Sequence, residues 1–207
     1  MHGKHAPRGL QRGCRAWHRR DMANTKAAGP PPTEQTLRDA ALAYLARYGT
    51  TRQGLVRVLD RGVERWARAA EDVDPEVIRA AKETARQVAD RLVASGVVND
   101  TAFAEGRVRS LARTGRSRKA IAAHLAARGV EGAVTKAVLP QDAAGEQSAA
   151  MAFARRRRIG PFRRAEGDRM RELGILARAG FSREIAEAVL DMDTDTAEAL
   201  LVALKQW

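Results

Sequence analysis

Two clusters of basic side chains are the residues in this sequence whose types and spacing could carry chemistry. Guanidinium and ammonium groups bind phosphates and carboxylates, and an arginine can hold either group through two parallel hydrogen bonds. The first cluster surrounds a predicted turn in the middle of the chain and comprises Arg107, Arg109, Arg113, Arg116, Arg118 and Lys119. Because such heads enter an apolar core only when paired, the cluster forms either a contact strip for acidic groups or an ordinary solvated helix face.

The second cluster is denser, since four arginines stand in a row and two more follow closely. It comprises Arg155, Arg156, Arg157, Arg158, Arg163 and Arg164. A helix has about 3.6 residues per turn, so it cannot direct four consecutive side chains to one side. Part of the run must therefore face a partner or solvent. If all six contacted phosphates of duplex DNA, the slope of log affinity against log salt concentration would be about −5.

Catalytic patterns are missing from the sequence. It contains no phosphate-binding GxxxxGK[ST], no GxSxG, no HExxH and no Cys-x-x-Cys. Glu105 stands four residues before Arg109, which favours a helix-surface pair over a catalytic role. His124 has no titratable companion and is interpreted as a packing or surface residue. We therefore predict no enzymatic activity, no catalytic residue and no cofactor, so any effect on ATP turnover would act through a partner's site.

Four residues of the N-terminal region could be imagined as a zinc-binding set, but their spacing fits no common zinc finger. These ligands are His2, His5, Cys14 and His18. Residues 1–35 are rich in Gly, Pro and Arg and show no periodic apolar face, so we expect a disordered basic tail without a metal site. Met22 is a plausible start in its own right, which makes residues 1–21 a candidate upstream extension.

The composition narrows the class of partner. Lys and Arg number 37 against 25 acidic residues, which gives a formal charge of +12 over 207 residues and suits a polyanion or an acidic protein surface. The single cysteine excludes an intrachain disulfide and indicates a reducing compartment, so we expect a cytosolic protein. No membrane-spanning run occurs. Aromatic residues make up only 4% of the chain, so a stacking platform for single strands is not expected.

The elements that position the basic clusters are predicted to be helices. Ala, Leu, Arg and Glu dominate and no strictly alternating apolar run occurs, so we expect an all-α fold. In the unit that contains the first cluster, Asn99 or Asp100 can cap a first helix. Gly115 permits a turn, Ser117 caps a second helix, and Gly129 ends it before a third helix. Each helix is too short to be stable alone, so the three must pack together.

The same plan recurs on both sides of this central unit. LARAGFSREIAEAVL, residues 176–190, aligns without gaps on LAARGVEGAVTKAVL, residues 125–139. Such an internal repeat predicts stacked copies of one three-helix unit, with function on a surface built across the copies. The predicted units are 36–99, 100–140, and 148–207 with an added C-terminal helix.

The first predicted unit departs from the others after its second helix. Its first helix is expected to end at Gly49 and its second to reach Gly62. An insertion around residues 66–74 then precedes a long helix from about residue 75 to residue 95. In the third unit, the first helix is expected to begin near Ser148, after a linker.

The central unit NDTAFAEGRVRSLARTGRSRKAIAAHLAARGV resembles the most characteristic segment of the RecX family, the regulators of the bacterial recombinase RecA. The shared features are an Asp, the triplet Phe103-Ala104-Glu105, an Arg-rich helix, Gly, Ser, and a helix that ends in Gly-Val. ALAYLARYGTTRQGLVRVLDRGV, and RRRRIGPFRR with LARAGFSREIAEAVL, are similar to the first and third repeats of that family. The resemblance covers residues 36–192 and rests on three motifs in the family's order.

The resemblance implies three tandem three-helix repeats that form a bent rod lying along the groove of the RecA–DNA filament. Members of the family limit filament growth and reduce ATP hydrolysis, strand exchange and co-protease activity, and so modulate recombination, DNA repair and the SOS response. The implied partners are the RecA filament and, as a further candidate, single- and double-stranded DNA. This chain differs from the shortest members of the family by the insertion in its first unit.

Two other classes of function are alternatives to a filament regulator. A helix-turn-helix transcriptional regulator would also bind DNA, but it should concentrate base contacts in one unit and usually dimerises. Here the basic residues spread over at least two units and no sustained heptad offers a dimer seam, so a monomeric regulator is favoured. An enzyme acting on nucleic acid is the weakest interpretation, because no metal-binding carboxylates cluster with a histidine.

Overall fold

Ten α-helices and one short 3-10 helix make up the part of the chain that the computed structural model describes, residues 29–70 and 72–206. No strand occurs in these residues, and the all-α prediction is confirmed. We group the first nine helices in threes. Repeat 1 contains α1 (Glu34–Leu45), α2 (Arg52–Ala70) and α3 (Pro75–Ala94). Repeat 2 contains α4 (Asp100–Arg113), α5 (Arg118–Arg128) and α6 (Gly132–Val138). Repeat 3 contains α7 (Ala143–Arg157), α8 (Arg169–Arg178) and α9 (Arg183–Leu190), with the 3-10 helix Gly160–Phe162 after α7 and α10 (Thr194–Gln206) after α9.

Residues 1–28 of the predicted tail lie outside the described residues. The candidate upstream extension and the four candidate metal ligands fall within residues 1–28 and lie outside them as well. The last residues of the predicted tail, Glu34 and Gln35, belong to α1. Their helix begins there because the Thr33 hydroxyl accepts a hydrogen bond from the backbone amide of Thr36 at 3.3 Å.

Side-chain caps explain where the other helices begin. The Asn99 side chain accepts a hydrogen bond from the backbone amide of Ala102 at 2.9 Å, so Asn99 rather than Asp100 caps α4. Asp74 accepts from the amide of Glu76 at 2.8 Å, and Pro75 occupies the first position of α3. These contacts satisfy amides that have no partner within their own helix.

Gly62 does not end α2, and the prediction at this point was wrong. The helix continues to Ala70 because Val63 is fully buried in the core that α2 shares with the 20-residue α3. Burial of such a side chain is worth about 1.5–3 kcal/mol, which exceeds the cost of about 1 kcal/mol for a glycine within a helix. Much of the predicted insertion therefore lengthens a helix.

Two further helix boundaries differ from the predictions. Helix α1 ends at Leu45 rather than Gly49, although the amide of Tyr48 still donates to the carbonyl of Tyr44 at 3.0 Å in the turn that follows. Helix α7 begins at Ala143 rather than near Ser148. The Asp142 side chain accepts a hydrogen bond from the amide of Gly145 at 3.2 Å, so most of the predicted linker is helical.

The gap-free alignment within the sequence corresponds to one repeated local structure. Gly129 and Gly180 both have positive φ values, 82° and 93°, and follow the second helix of their repeats. The next residue in each case donates a hydrogen bond back to a leucine carbonyl, from Val130 to Leu125 at 3.1 Å and from Phe181 to Leu176 at 3.2 Å. This is the Schellman arrangement that glycine favours at a helix end.

The buried side chains form two clusters. One lies within repeat 1 and is built from α1, α2 and α3, with Leu55 and Val63 fully buried. The other runs continuously through repeat 2, repeat 3 and α10, with Leu125, Met151 and Leu176 fully buried. Repeats 2 and 3 therefore share one core, whereas repeat 1 has its own.

Hydrogen bonds of one pattern join each repeat to the next. The buried Thr51 hydroxyl at the start of α2 donates to the carbonyl of Arg128 at the end of α5, at 2.7 Å. The buried Ser117 hydroxyl at the start of α5 donates to the carbonyl of Ala179, just after α8, also at 2.7 Å. The second helices of the three repeats consequently follow one another end to end.

A carboxylate completes each of these junctions. The amide of Arg52 donates to Asp100 at 2.7 Å, and the amide of Arg118 donates to both carboxylate oxygens of Glu146 at 3.1 Å. Burial raises the pKa of Glu146, and the hydrogen bond from the Arg118 amide opposes that shift. In both junctions the first helix of one repeat satisfies the first free amide of the second helix in the preceding repeat.

Candidate site for an anionic partner

The turn between α4 and α5 lies directly against α7. Gly115, in this turn, is buried and has a φ of 75°. A Cβ atom at this position would stand 2.6 Å from the backbone nitrogen of Phe153 and 2.8 Å from its Cα. Only glycine allows the two backbones to approach so closely. The approach brings the first basic cluster next to the second.

A cleft of about 680 Å³ opens at this contact between repeats 2 and 3, and we call it the junction cleft. Four arginines from three segments line it, together with apolar side chains from α7 and α8. The arginines are Arg116, Arg156, Arg157 and Arg178. No acidic residue belongs to its lining. The junction cleft therefore presents guanidinium groups above an apolar wall that includes Phe153 and Ile175.

The arginines from α7 are held in place by local contacts. Arg156 donates a hydrogen bond from Nη1 to the carbonyl of Thr114 at 2.6 Å. Its guanidinium carbon and that of Arg157 both lie 5.6 Å from the centroid of the Phe153 ring. Cation–π contacts of this length stabilise a charged head without neutralising it. Both guanidinium groups thus remain able to bind an anion.

The charge in the junction cleft has no counterion within the described part of the chain. None of its four arginines forms an ion pair there, whereas Arg155, Arg163 and Arg169 pair with Glu198, Glu172 and Asp191. Like charges that converge without a partner raise the local positive potential and favour an anionic ligand. The geometry therefore suits phosphate or carboxylate groups.

The positive potential extends along α5 to His124. Burial lowers the pKa of this imidazole, and the charges of Arg128, Arg107 and Arg116 lower it further. Its Nε2 atom is buried without a hydrogen-bond partner. The neutral imidazole is consequently the favoured form, in agreement with its interpretation as a packing residue.

The twelve predicted contact residues lie in several different environments. Arg116, Arg156 and Arg157 come together in the junction cleft. Arg107 lies over the Phe103 ring at 5.4 Å, and Arg118 Nη2 donates to Gln141 at 3.3 Å. The remaining members outside the ion pairs are exposed and lie beyond the cleft lining, namely Arg109, Arg113, Lys119, Arg158 and Arg164.

Two members of the second cluster have partners within the protein. Arg163 Nη2 contacts the buried Glu172 at 3.0 Å, and Glu172 also accepts a hydrogen bond from the amide of Gly160 at 3.2 Å. Arg155 contacts Glu198 at 3.5 Å and lies 5.9 Å from the Phe162 ring. The slope of about −5 for log affinity against log salt concentration assumes six free arginines. Two of the six, Arg155 and Arg163, already have carboxylate partners.

Sequence reasoning missed Arg178, the fourth arginine of the cleft. It stands alone near the end of α8, and the internal alignment places it opposite Ala127, so neither clustering nor repetition marks it. Its role depends on the end-to-end contact between α5 and α8. No local pattern signals that contact.

Within residues 29–70 and 72–206, no group of three or more His, Cys, Asp or Glu side chains could hold a metal ion. No helix in this part of the chain is long and apolar enough to cross a bilayer.

The comparisons with known proteins agree with the architecture. The model of the family described as "RecX, second three-helix domain" matches residues 99–139, which correspond to repeat 2. A crystal structure of a regulatory protein RecX superposes with a TM-score of 0.57 at 21% identity, over 77% of this chain and 72% of that chain. This structural similarity shows a shared fold.

Relatives with higher identity cover most of the sequence. Regulatory protein RecX of Myxococcus xanthus (strain DK1622) is 38% identical over 161 residues, which cover 75% of this chain and 84% of that protein. Regulatory protein RecX of Agrobacterium fabrum (strain C58) is 35% identical over 183 residues, with 85% and 95% covered. The Thermobifida fusca (strain YX) protein of the same name is 34% identical over 175 residues, with 83% and 86% covered. By this similarity, which covers 75–85% of its length, the chain belongs to the RecX family of regulatory proteins.

Proposed function

We propose that this chain is a non-enzymatic regulator that binds the RecA–DNA filament through the junction cleft. It inhibits filament extension, ATP hydrolysis, strand exchange and co-protease activity, and thereby modulates recombination, DNA repair and the SOS response. Its family supports a regulatory role. The observation that carries the proposal is the convergence of four arginines on one cleft whose lining contains no acidic residue.

The chemistry of the junction cleft fits two components of such a filament. Guanidinium groups bind phosphodiesters of DNA and carboxylates of an acidic protein surface with similar geometry. Phe153 and Ile175 add an apolar wall that reduces competition by water for bound anions. The proposed partners are accordingly the RecA filament, with its single- or double-stranded DNA.

A helix-turn-helix transcriptional regulator fits the geometry less well. In that class the last helix of the unit enters the major groove with its first residues. Here α6 follows Glu131 and contains one basic residue, Lys136. Helix α9 begins with Arg183, which pairs with Glu187, and carries Glu184 in its first turn. These carboxylates would face DNA phosphates, which disfavours groove insertion.

The proposal is tested by reversing charge in the junction cleft. The double variant Arg156→Glu/Arg157→Glu should reduce cosedimentation with RecA filaments on single-stranded DNA by at least about tenfold in affinity, since two ionic contacts become repulsive. Helical content measured by circular dichroism should stay unchanged, because both side chains are exposed.

Arg79→Glu/Arg86→Glu is the matched control. It changes the net charge by the same amount, but on the exposed face of α3. The control should bind filaments with nearly the affinity of the unaltered protein. Equal losses in both variants would show that only net charge matters, and unchanged binding of the cleft variant would remove the cleft from the account.

A further inference from the structure

A second groove lies in repeat 1, where the end of α1 faces α2. It has a volume of about 530 Å³ and combines aromatic with basic side chains. Tyr44 and Tyr48 form one wall, and Arg61, Arg65 and Arg68 lie on the other. We call it the tyrosine groove. It shares no residue with the junction cleft.

Although the low aromatic content of the chain predicts no stacking platform, the fold places two tyrosines side by side, and they offer an aromatic surface to solvent. Their ring centroids are 5.1 Å apart with an interplanar angle of 38°. Tyr48 is 48% exposed, while Tyr44 is half-buried and supports it from the last turn of α1. The backbone of Tyr48 is held by the hydrogen bond from its amide to the carbonyl of Tyr44. An exposed ring that packs against a second ring offers a surface for stacking.

The arginines form a line beside these rings. Arg61, Arg65 and Arg68 are spaced four and three residues apart, so they share one face of α2 over a length of about 10 Å. All three are exposed, and none forms an ion pair within the described chain. This line is long enough to contact more than one anionic group of a polymer.

The groove keeps a net positive charge despite one carboxylate in its lining. Glu64 forms an ion pair with Lys82 of α3 at 2.7 Å. The hydrogen bond from Lys82 is the main cause of the lowered pKa of Glu64, followed by the charge of Lys82, with smaller effects of Arg68 and Arg61. Glu64 therefore remains ionised and is compensated mainly by a lysine outside the groove.

We propose that the tyrosine groove binds single-stranded nucleic acid, with a base stacked on Tyr48 and the adjoining phosphates on Arg61, Arg65 and Arg68. Aromatic rings beside a basic strip are the combination that single-strand sites use, because every base has a π face and every link carries a charge. An acidic peptide would use the arginines but not the exposed ring. The inference deepens the proposed function and rests on it for biological meaning, since the strand would be that of the filament.

The test compares two substitutions of Tyr48 on two ligands, without the recombinase. Binding of a labelled oligothymidylate and of an abasic deoxyribose-phosphate chain of equal length is followed by fluorescence anisotropy. Tyr48→Leu should weaken oligothymidylate binding about tenfold, as expected for the loss of one stacked base, and leave abasic binding unchanged. Tyr48→Phe keeps the ring and should bind both ligands like the unaltered protein. All variants are compared in the Arg156→Glu/Arg157→Glu background, so the junction cleft does not mask the groove, and all share the same basic residues before Gly29.

A third substitution tests the basic strip. Arg65→Glu should weaken binding of both ligands, and Arg86→Glu on α3 is its matched control. The proposal is overturned if Tyr48→Leu binds oligothymidylate normally, if it weakens both ligands equally, or if polyglutamate displaces the oligonucleotide as well as unlabelled oligothymidylate does. Loss of filament binding by the cleft variant is measured separately, so each proposal can fail alone.

Discussion

At the scale of single residues, the arginines of this chain differ in what they face. Arg163 contacts Glu172, which is only 6% exposed and also holds the amide of Gly160, so its role in the fold is clear. Arg156 and Arg157 face an open cleft and a phenylalanine ring. A buried carboxylate requires its cation, whereas an open cleft leaves the cation available. The candidate contact surface is therefore identified by arginines that have no carboxylate partner in the described chain, and not by the number of arginines in a run.

His124 should make stability depend on pH near neutrality. Its folded pKa is lowered, first by burial and then by neighbouring arginines, so the unfolded chain binds the proton more readily. The contribution of neutral His124 to the free energy of unfolding is complete above the unfolded pKa of about 6.5. It is lost as the pH falls through the lower folded pKa. Urea unfolding between pH 7.5 and 5 should therefore show a decline that His124→Gln reduces. Equal pH profiles for both proteins would contradict this assignment.

Gly115 should be intolerant of any side chain. Gly115→Ala would place a methyl group 2.6 Å from the Phe153 nitrogen at a positive φ, and the combined strain should cost roughly 2–4 kcal/mol in the free energy of unfolding. The control is Gly106→Ala in α4, where nothing lies within 4 Å and the helix should gain about 0.5–1 kcal/mol. Denaturant unfolding measures both values, and similar effects of the two substitutions would contradict the close approach.

At the scale of helices, the repeated contact between second helices connects the repeats. In each junction, the hydroxyl that caps the second helix of one repeat also donates to a carbonyl at the end of the second helix in the following repeat. The hydroxyl thus accepts from an amide and donates to a carbonyl, which satisfies groups at two helix ends. The same contact places Arg178 beside Arg116, so the junction also builds the cleft.

Ser117→Ala should show the value of this double role. Loss of a cap costs about 1 kcal/mol, and loss of a buried hydrogen bond adds about 0.5–1.5 kcal/mol, so the free energy of unfolding should fall by roughly 1.5–2.5 kcal/mol. Ser182→Ala is the matched control, because Ser182 caps α9 through the amide of Ile185 and is itself exposed. The difference between the two variants measures the junction bond. Equal losses would mean that this bond contributes nothing.

The sequence predicted those features that depend on local chemistry. Ser117, Asn99 and the glycine that ends α5 act where they were expected, because caps and glycine turns are set by a few neighbouring residues. The extension of α2 beyond Gly62 depended on burial against α3, which local preference does not contain. The cleft was only partly predictable, since Arg178 joins it through the stacking of distant helices.

At the scale of the whole molecule, the two proposed sites lie on different cores. The tyrosine groove belongs to repeat 1, and the junction cleft belongs to the core that repeats 2 and 3 share. The hydrogen bond from Thr51 to Arg128 joins repeat 1 to repeat 2, and the one from Ser117 to Ala179 joins repeat 2 to repeat 3. A chain with separated contact points gains affinity when a polymeric partner offers several binding positions at once. A filament is such a partner.

The most direct test of the central claim is the ATP hydrolysis of the cognate RecA on single-stranded DNA, with this protein added well below the RecA concentration. The account predicts that the rate falls at these substoichiometric levels. It also predicts that Arg156→Glu/Arg157→Glu needs at least about ten times more protein for the same fall, because its affinity for the filament is lower. An unchanged rate at every ratio of unaltered protein to RecA would contradict the account.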